Sequence, residues 1–165
     1  MLRIRSKLAA YVTIATVCGF AAAATLPSTA LAARSVSIVG AWKGQLTASP
    51  TSDPGAFAVT DSGPGVANDL GPFHLSSAET DNFATDTITD GTFTIGNSRG
   101  DSIHGTYAGT FSPISATAVT FISPGQITGG TGQLRGATGQ ITFTGIASSS
   151  SLTVLGAFTA KVSAP

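Results

Sequence analysis

Ser98 sits in Gly96-Asn97-Ser98-Arg99-Gly100, a Gly-x-Ser-x-Gly pattern, and Asp101 and His104 follow it in nucleophile–acid–base order. A serine nucleophile of that kind needs a sharp strand-to-helix turn to lift its hydroxyl above a sheet. Both flanks here alternate like strands, so residues 97–100 read as a hairpin loop. Ser98, Asp101 and His104 also lie too close along an extended chain to converge as a triad. Arg99-Gly100-Asp101 spells an integrin-type tripeptide, but Gly-Asp is ordinary turn chemistry and the match is read as chance.

A second candidate is the stretch ITGGTGQLRGATGQITFTG, residues 127–145. As a dinucleotide loop it fails: Gly136 comes one residue too late after Gly130-x-Gly132, and no helix follows to face a phosphate. No lysine is present for a Walker loop, and no aspartate for a calcium-binding glycine repeat. Gly129, Gly130, Gly132, Leu134 and Gly136 are expected instead to form a structural turn. Leu134 would plug the end of the fold there, while the glycines let the backbone bend around it.

Acid–base chemistry is the third possibility. The alternation Phe73, Leu75, Ser77, Glu79 places Glu79 on the apolar phase of its strand. A carboxylate pointing into an apolar interior has a raised pKa and serves as acid or base. The competing reading ends the strand at Ala78 and leaves Glu79 solvated. Tyr107 shares the inward phase of a later strand, where it either presents a hydroxyl to a ligand or simply packs. The run Glu79, Asp81, Asp86, Asp90 matches no calcium loop and is expected to be a solvated connection. His74 and His104 fall on outward phases with no second ligand at metal spacing. No metal and no cofactor is therefore expected.

The elements that must position these groups are short strands. Arg3, Arg5 and Lys7 precede an uncharged apolar stretch at 8–24, and Ala30-Leu31-Ala32 offers small residues at −3 and −1. This is the pattern of a cleaved signal peptide over residues 1–32, with a secreted domain at 33–165. Beyond residue 32, five bases against eight acids leave a net charge of −3, a surface with no footprint for a nucleic acid backbone. The single cysteine, Cys18, lies in the leader, so the domain must be held by burial alone. No second apolar span follows, so no membrane span is expected in the mature protein.

No segment after Ala33 has helical periodicity. About eight alternating runs occur, at 36–47, 55–60 (short and uncertain), 73–80, 87–95, 102–111, 118–123, 140–147 and 153–162. Each has one apolar face and one face rich in Thr, Ser and small residues, which suits a strand with one side in water. Closing such strands into an antiparallel barrel pools the apolar faces and removes the edges. An all-β, eight-stranded antiparallel β-barrel is expected, with a β-sandwich as the alternative. Gly40, Gly44, Gly91, Gly105, Gly109, Gly145 and Gly156 share the inward phase, as a tightly coiled barrel requires.

Gly129, Gly130, Thr131, Gly132, Leu134, Gly136, Ala137 and Gly139, together with GDSIHGTYAGTF at 100–111, resemble bacterial secreted proteins of the allene oxide cyclase-like barrel family, related in fold to plant dirigent proteins. The resemblance covers residues 42–162. It implies an eight-stranded antiparallel barrel, often dimeric or trimeric, in a family that hosts isomerisation, guided coupling and polyketide cyclisation. The bacterial pattern often has Thr-His-Leu-Gly where this chain has Asn68-Asp69-Leu70-Gly71, so the role of that histidine is not carried over.

Two functions are then expected in competition. One is a secreted barrel binding a small apolar ligand in a lumen lined by Trp42, Ile103, Phe111, Phe143 and Phe158, or serving an extracellular interaction. The other is a cyclase or isomerase of a hydrophobic substrate with Glu79 and Tyr107 as its catalytic groups. An apolar cavity with Glu79 on its wall would favour the enzyme, and a lumen filled by side chains would weaken both.

Overall fold

A computed structural model describes residues 34–164, which form a closed eight-stranded antiparallel barrel. The expected signal peptide lies outside the described residues. The strands are β1 (Arg34–Pro50), β2 (Ala56–Ala67), β3 (Gly71–Asn82), β4 (Thr87–Asn97), β5 (Ser102–Ser115), β6 (Ala118–Thr131), β7 (Thr138–Ser148) and β8 (Thr153–Ala164). Each pairs with the next, and β1 closes on β8 from Arg34 opposite Ala164 to Gln45 opposite Thr153. Among the described residues, no helix is long and apolar enough to cross a membrane.

β2 departs most from the sequence pattern. Asp61-Ser62-Gly63-Pro64-Gly65 reads as a turn, yet all five residues lie inside this strand. Phe73 of β3 fills the space beside Gly65, and the β1–β2 ladder skips the position of Pro64, which has no N–H to give. β6 likewise continues past Pro124 to Thr131, so Gly129 and Gly130 are strand residues rather than part of the turn. The corner itself is a 3-10 turn, Gly132–Leu134, followed by Gly136 at φ 72°.

The inward glycines have a specific use. Several stand directly opposite an aromatic residue: Trp42 faces Gly156, Phe158 faces Gly40, and Tyr107 faces Gly91. A Cβ on Gly91 would lie 2.6 Å from Cδ2 of the Tyr107 ring. Glycine here makes room for a ring laid across the neighbouring strand, which an eight-stranded lumen could not otherwise hold.

The barrel is solid at one end. Ile38, Ile95, Ile103, Ile127, Ile141 and Phe158 are almost wholly buried there, with Leu70 and Ala137 above them and Leu134 packed on the cluster from the connection. Asp101 clasps this end. It accepts from the backbone N–H of Gln133 at 2.9 Å and from Asn97 Nδ2 at 3.2 Å, so the β4–β5 hairpin is tied to the 3-10 turn. These donors hold its carboxyl below the usual range, led by the Gln133 N–H. With only 6% of Asp101 exposed, the Arg-Gly-Asp tripeptide is a structural clasp rather than a displayed motif.

Candidate functional site

The opposite half of the barrel is not filled. A cavity there offers about 70 Å³ to the centres of water-sized molecules. It lies between Trp42 of β1, Val59 of β2, Leu75 of β3, Phe111 of β5, Phe121 of β6 and Phe143 of β7. Rings meet edge to face along its wall, with Trp42 and Phe143 centred 5.9 Å apart. Phe83, half exposed in the β3–β4 connection, packs on Phe111 with the rings tilted 53° and centred 4.8 Å apart, and so extends the aromatic wall to the rim. Of the five residues expected to line a lumen, Trp42, Phe111 and Phe143 do so. Ile103 and Phe158 do not: Ile103 is the second residue of β5, at the closed end, and Phe158, midway along β8, packs between Phe73 and Phe143.

Six polar side chains point into this apolar space: Asp61, Ser77, Glu79, Asp81, Tyr107 and Ser123. β3 continues to Asn82, so Glu79 lies within the strand and does not end it. Its neighbourhood is shaped by a β-bulge. The β3–β4 register shifts between Ala78 and Thr80, and the β4–β5 register shifts between Ile88 and Gly91. Asp90, at φ 54°, takes up the extra residue, and Ile88 and Gly91 both turn inward although three apart. That change of phase sets Tyr107, opposite Gly91, where it faces Glu79.

The electrostatics follow from burial. Burial pushes the Glu79 carboxyl up to about 7; Asp81 and Asp61 add repulsion, and the Tyr107 hydroxyl partly offsets both. Asp61 rises to about 6, driven by burial and opposed first by the Trp42 indole, whose Nε1 donates to Oδ2 at 2.7 Å. Asp81 rises to about 6 through burial. Tyr107 is held strongly in its neutral form, by burial and then by the adjacent Glu79 charge. At neutral pH the cavity therefore holds a carboxyl poised between its two states beside a phenol that keeps its proton. Such a pair can take a proton from one atom of a bound molecule and hydrogen-bond another.

Asp61, Asp81 and Ser123 were not foreseen in this role. Asp81 was expected in a solvated run, but Glu79 and Asp81 face the lumen while Asp86 and Asp90 are exposed. Asp61 was hidden by its turn-like surroundings, although Phe57, Val59 and Asp61 share one phase and carry the signal. His74 and His104 lie on the outer face as expected, and Ser98 sits in an exposed hairpin loop between two strands. Among the described residues, no three His, Cys, Asp or Glu side chains gather closely enough to share a metal ion. No protein-family model, curated protein or solved structure matches the chain.

Proposed function

We propose that this chain is a secreted ligand-binding barrel whose half-open lumen receives a small, largely apolar molecule. One observation carries the reading: a closed barrel that is packed solid at one end keeps a cavity of about 70 Å³ at the other, walled by aromatic rings. A water needs about 10–15 Å³ on this measure, so the space equals about five waters, enough for a small organic group. The closed eight-stranded barrel is also what the resemblance to the allene oxide cyclase-like family implies. Ile146, directly opposite Leu155 on the outer face, is exposed with it and supports a homodimer or homotrimer.

Trp42 is the single tryptophan and lines the cavity, so its emission reports on occupancy. Titration with small apolar probes is expected to give a saturable change that the cavity-filling variant Ala147→Phe abolishes. Emission that ignores every probe, or responds equally in the filled variant, refutes the reading. A second reading, an isomerase or cyclase, is favoured by Glu79 held near 7 beside neutral Tyr107. It requires that Glu79→Gln remove turnover while probe affinity remains.

A further inference from the structure

We infer that the occupant of this lumen is an uncharged aliphatic alcohol, its hydroxyl donating to Glu79 beside Tyr107 and its chain leaving the mouth across Phe83. This rests on the lumen being a binding site, and it specifies the charge, polar group and length of the guest.

Charge excludes the ionic guests. Asp61, Glu79 and Asp81 line the cavity, and no Lys, Arg or His does. Asp53 and Asp86 stand in connections at the open mouth, where no Lys or Arg occurs; Arg99 and Arg135 lie in connections at the closed end. An anionic guest therefore meets like charge at the entrance and again inside, where screening is weak. An ammonium ion is not matched either. Asp61 stands opposite Ser77 and Asp81 opposite Phe57, so these carboxylates are four residues apart along neighbouring strands and do not converge. A single carboxylate does not offset the dehydration of a cation in an apolar space. The fitting guest is neutral.

The direction of hydrogen bonding selects its polar group. Asp61 Oδ1, Asp81 Oδ1 and Ser123 Oγ are sealed in the wall, out of a guest's reach. Glu79 is only partly buried and faces the open space. The Tyr107 ring, seated over Gly91 of β4, reaches across that strand to β3, where its hydroxyl donates to Glu79 and accepts from Ser77. The one phenolic proton is thus already placed. Above about pH 7, where Glu79 is ionised, the pair offers a guest acceptor oxygens only. A hydroxyl can donate to them; a ketone, ester or ether cannot.

The walls set its length. The cavity has room for about five waters, so a guest of more than about six non-hydrogen atoms extends past the rim. Across from β3, Phe143, Phe121, Val119 and Phe111 form an apolar wall for the chain. Phe83 prolongs that wall outward: it is half exposed, with its ring centred 4.8 Å from Phe111 and 5.6 Å from Phe57. A ring held there covers the first methylenes to emerge.

The test follows Trp42 emission of the purified protein at about pH 8. Four six-carbon probes are titrated, 1-hexanol, its isomer 1-methoxypentane, hexylamine and hexanoate, and then 1-octanol. Hexanol is expected to bind about tenfold more tightly than its isomer, as one hydrogen bond to a charged group allows, with hexanoate weakest. Octanol should gain up to about fourfold per added methylene over hexanol. Phe83→Ser should cut that gain, and Glu79→Gln should bring hexanol to the level of its isomer. Equal binding of hexanol and 1-methoxypentane, or tightest binding of hexylamine or hexanoate, overturns the alcohol assignment but leaves the lumen as a binding site. An octanol gain that survives Phe83→Ser overturns the path across the rim in the same way. Failure of every probe overturns both.

Discussion

Most proteins lose stability in acid, but this barrel is expected to gain it between about pH 8 and pH 4. A carboxyl whose pKa rises on folding binds its proton more tightly in the folded state than in the unfolded chain. Between the two pKa values the unfolded chain has released the proton while the folded one retains it, so stability falls as pH rises. For Asp61 the window runs from 3.8 to about 6. At 1.36 kcal/mol per tenfold change in proton affinity, this amounts to about 3 kcal/mol in full, most of which falls between pH 4 and pH 8. Glu79, from 4.5 to about 7, and Asp81, from 3.8 to about 6, act in the same direction. Their contributions are not additive with that of Asp61, because Asp81 and Asp61 themselves raise Glu79. Asp101 opposes the trend only below its ordinary value of 3.8.

For a domain of this size each kcal/mol moves Tm by about 3–5 °C, so Asp61 alone should make Tm roughly 10 °C higher at pH 4 than at pH 8. Thermal unfolding followed by far-UV circular dichroism measures this directly. Asp61→Asn should flatten the profile by the Asp61 share. A Tm that is constant or rises from pH 4 to pH 8, or an Asp61→Asn profile as steep as the parent's, would refute the electrostatic account of the cavity.

Three further substitutions probe the packing. Gly91→Ala places a methyl 2.6 Å from the Tyr107 ring and from its backbone carbonyl, so urea unfolding should show a loss of about 1–3 kcal/mol, the usual cost of overpacking. Carbon-13 titration of the same variant should find Glu79 above about 7, because the phenol that offsets its rise is displaced. Trp42→Phe removes the donor to Asp61 Oδ2 and should move Asp61 above about 6 by the same measurement; an unchanged value would contradict the role given to the indole. Asp101→Ala unties the hairpin from the 3-10 turn, so amide exchange at Gln133 should quicken with little change at Ser123.

The architecture was legible in the sequence because one-sided alternation is a local property. Phe73, Leu75 and Ser77 reveal their shared face within five residues, but where the strand ends, and so whether Glu79 joins that face or is solvated, was not legible locally; β3 runs on to Asn82. What could not be read is set by pairing between strands. The glycine beneath Tyr107 is sixteen residues away, and nothing near Gly91 in sequence says which ring will cover it. Asp61 failed for a related reason. Ser62-Gly63-Pro64-Gly65 has the composition of a turn, and only the closeness of β1 and Phe73 makes it a strand. The division of the lumen into filled and open halves is likewise invisible, because Ile103 and Phe111 share a face of one strand and differ only in height along the barrel.

The pairing of the first strand with the last gives the molecule a means of measuring its own completeness. Until Thr153–Ala164 is present, β1 and β7 are both bare edges, and no amount of order in the middle of the chain can cover them. A ribosome that has released the chain only as far as β7 therefore holds an open sheet with a half-formed lumen and an adhesive seam. A product that lacks β8 is left with two edges that invite pairing with another copy, so its loss should appear first as aggregation, before any local defect can be detected.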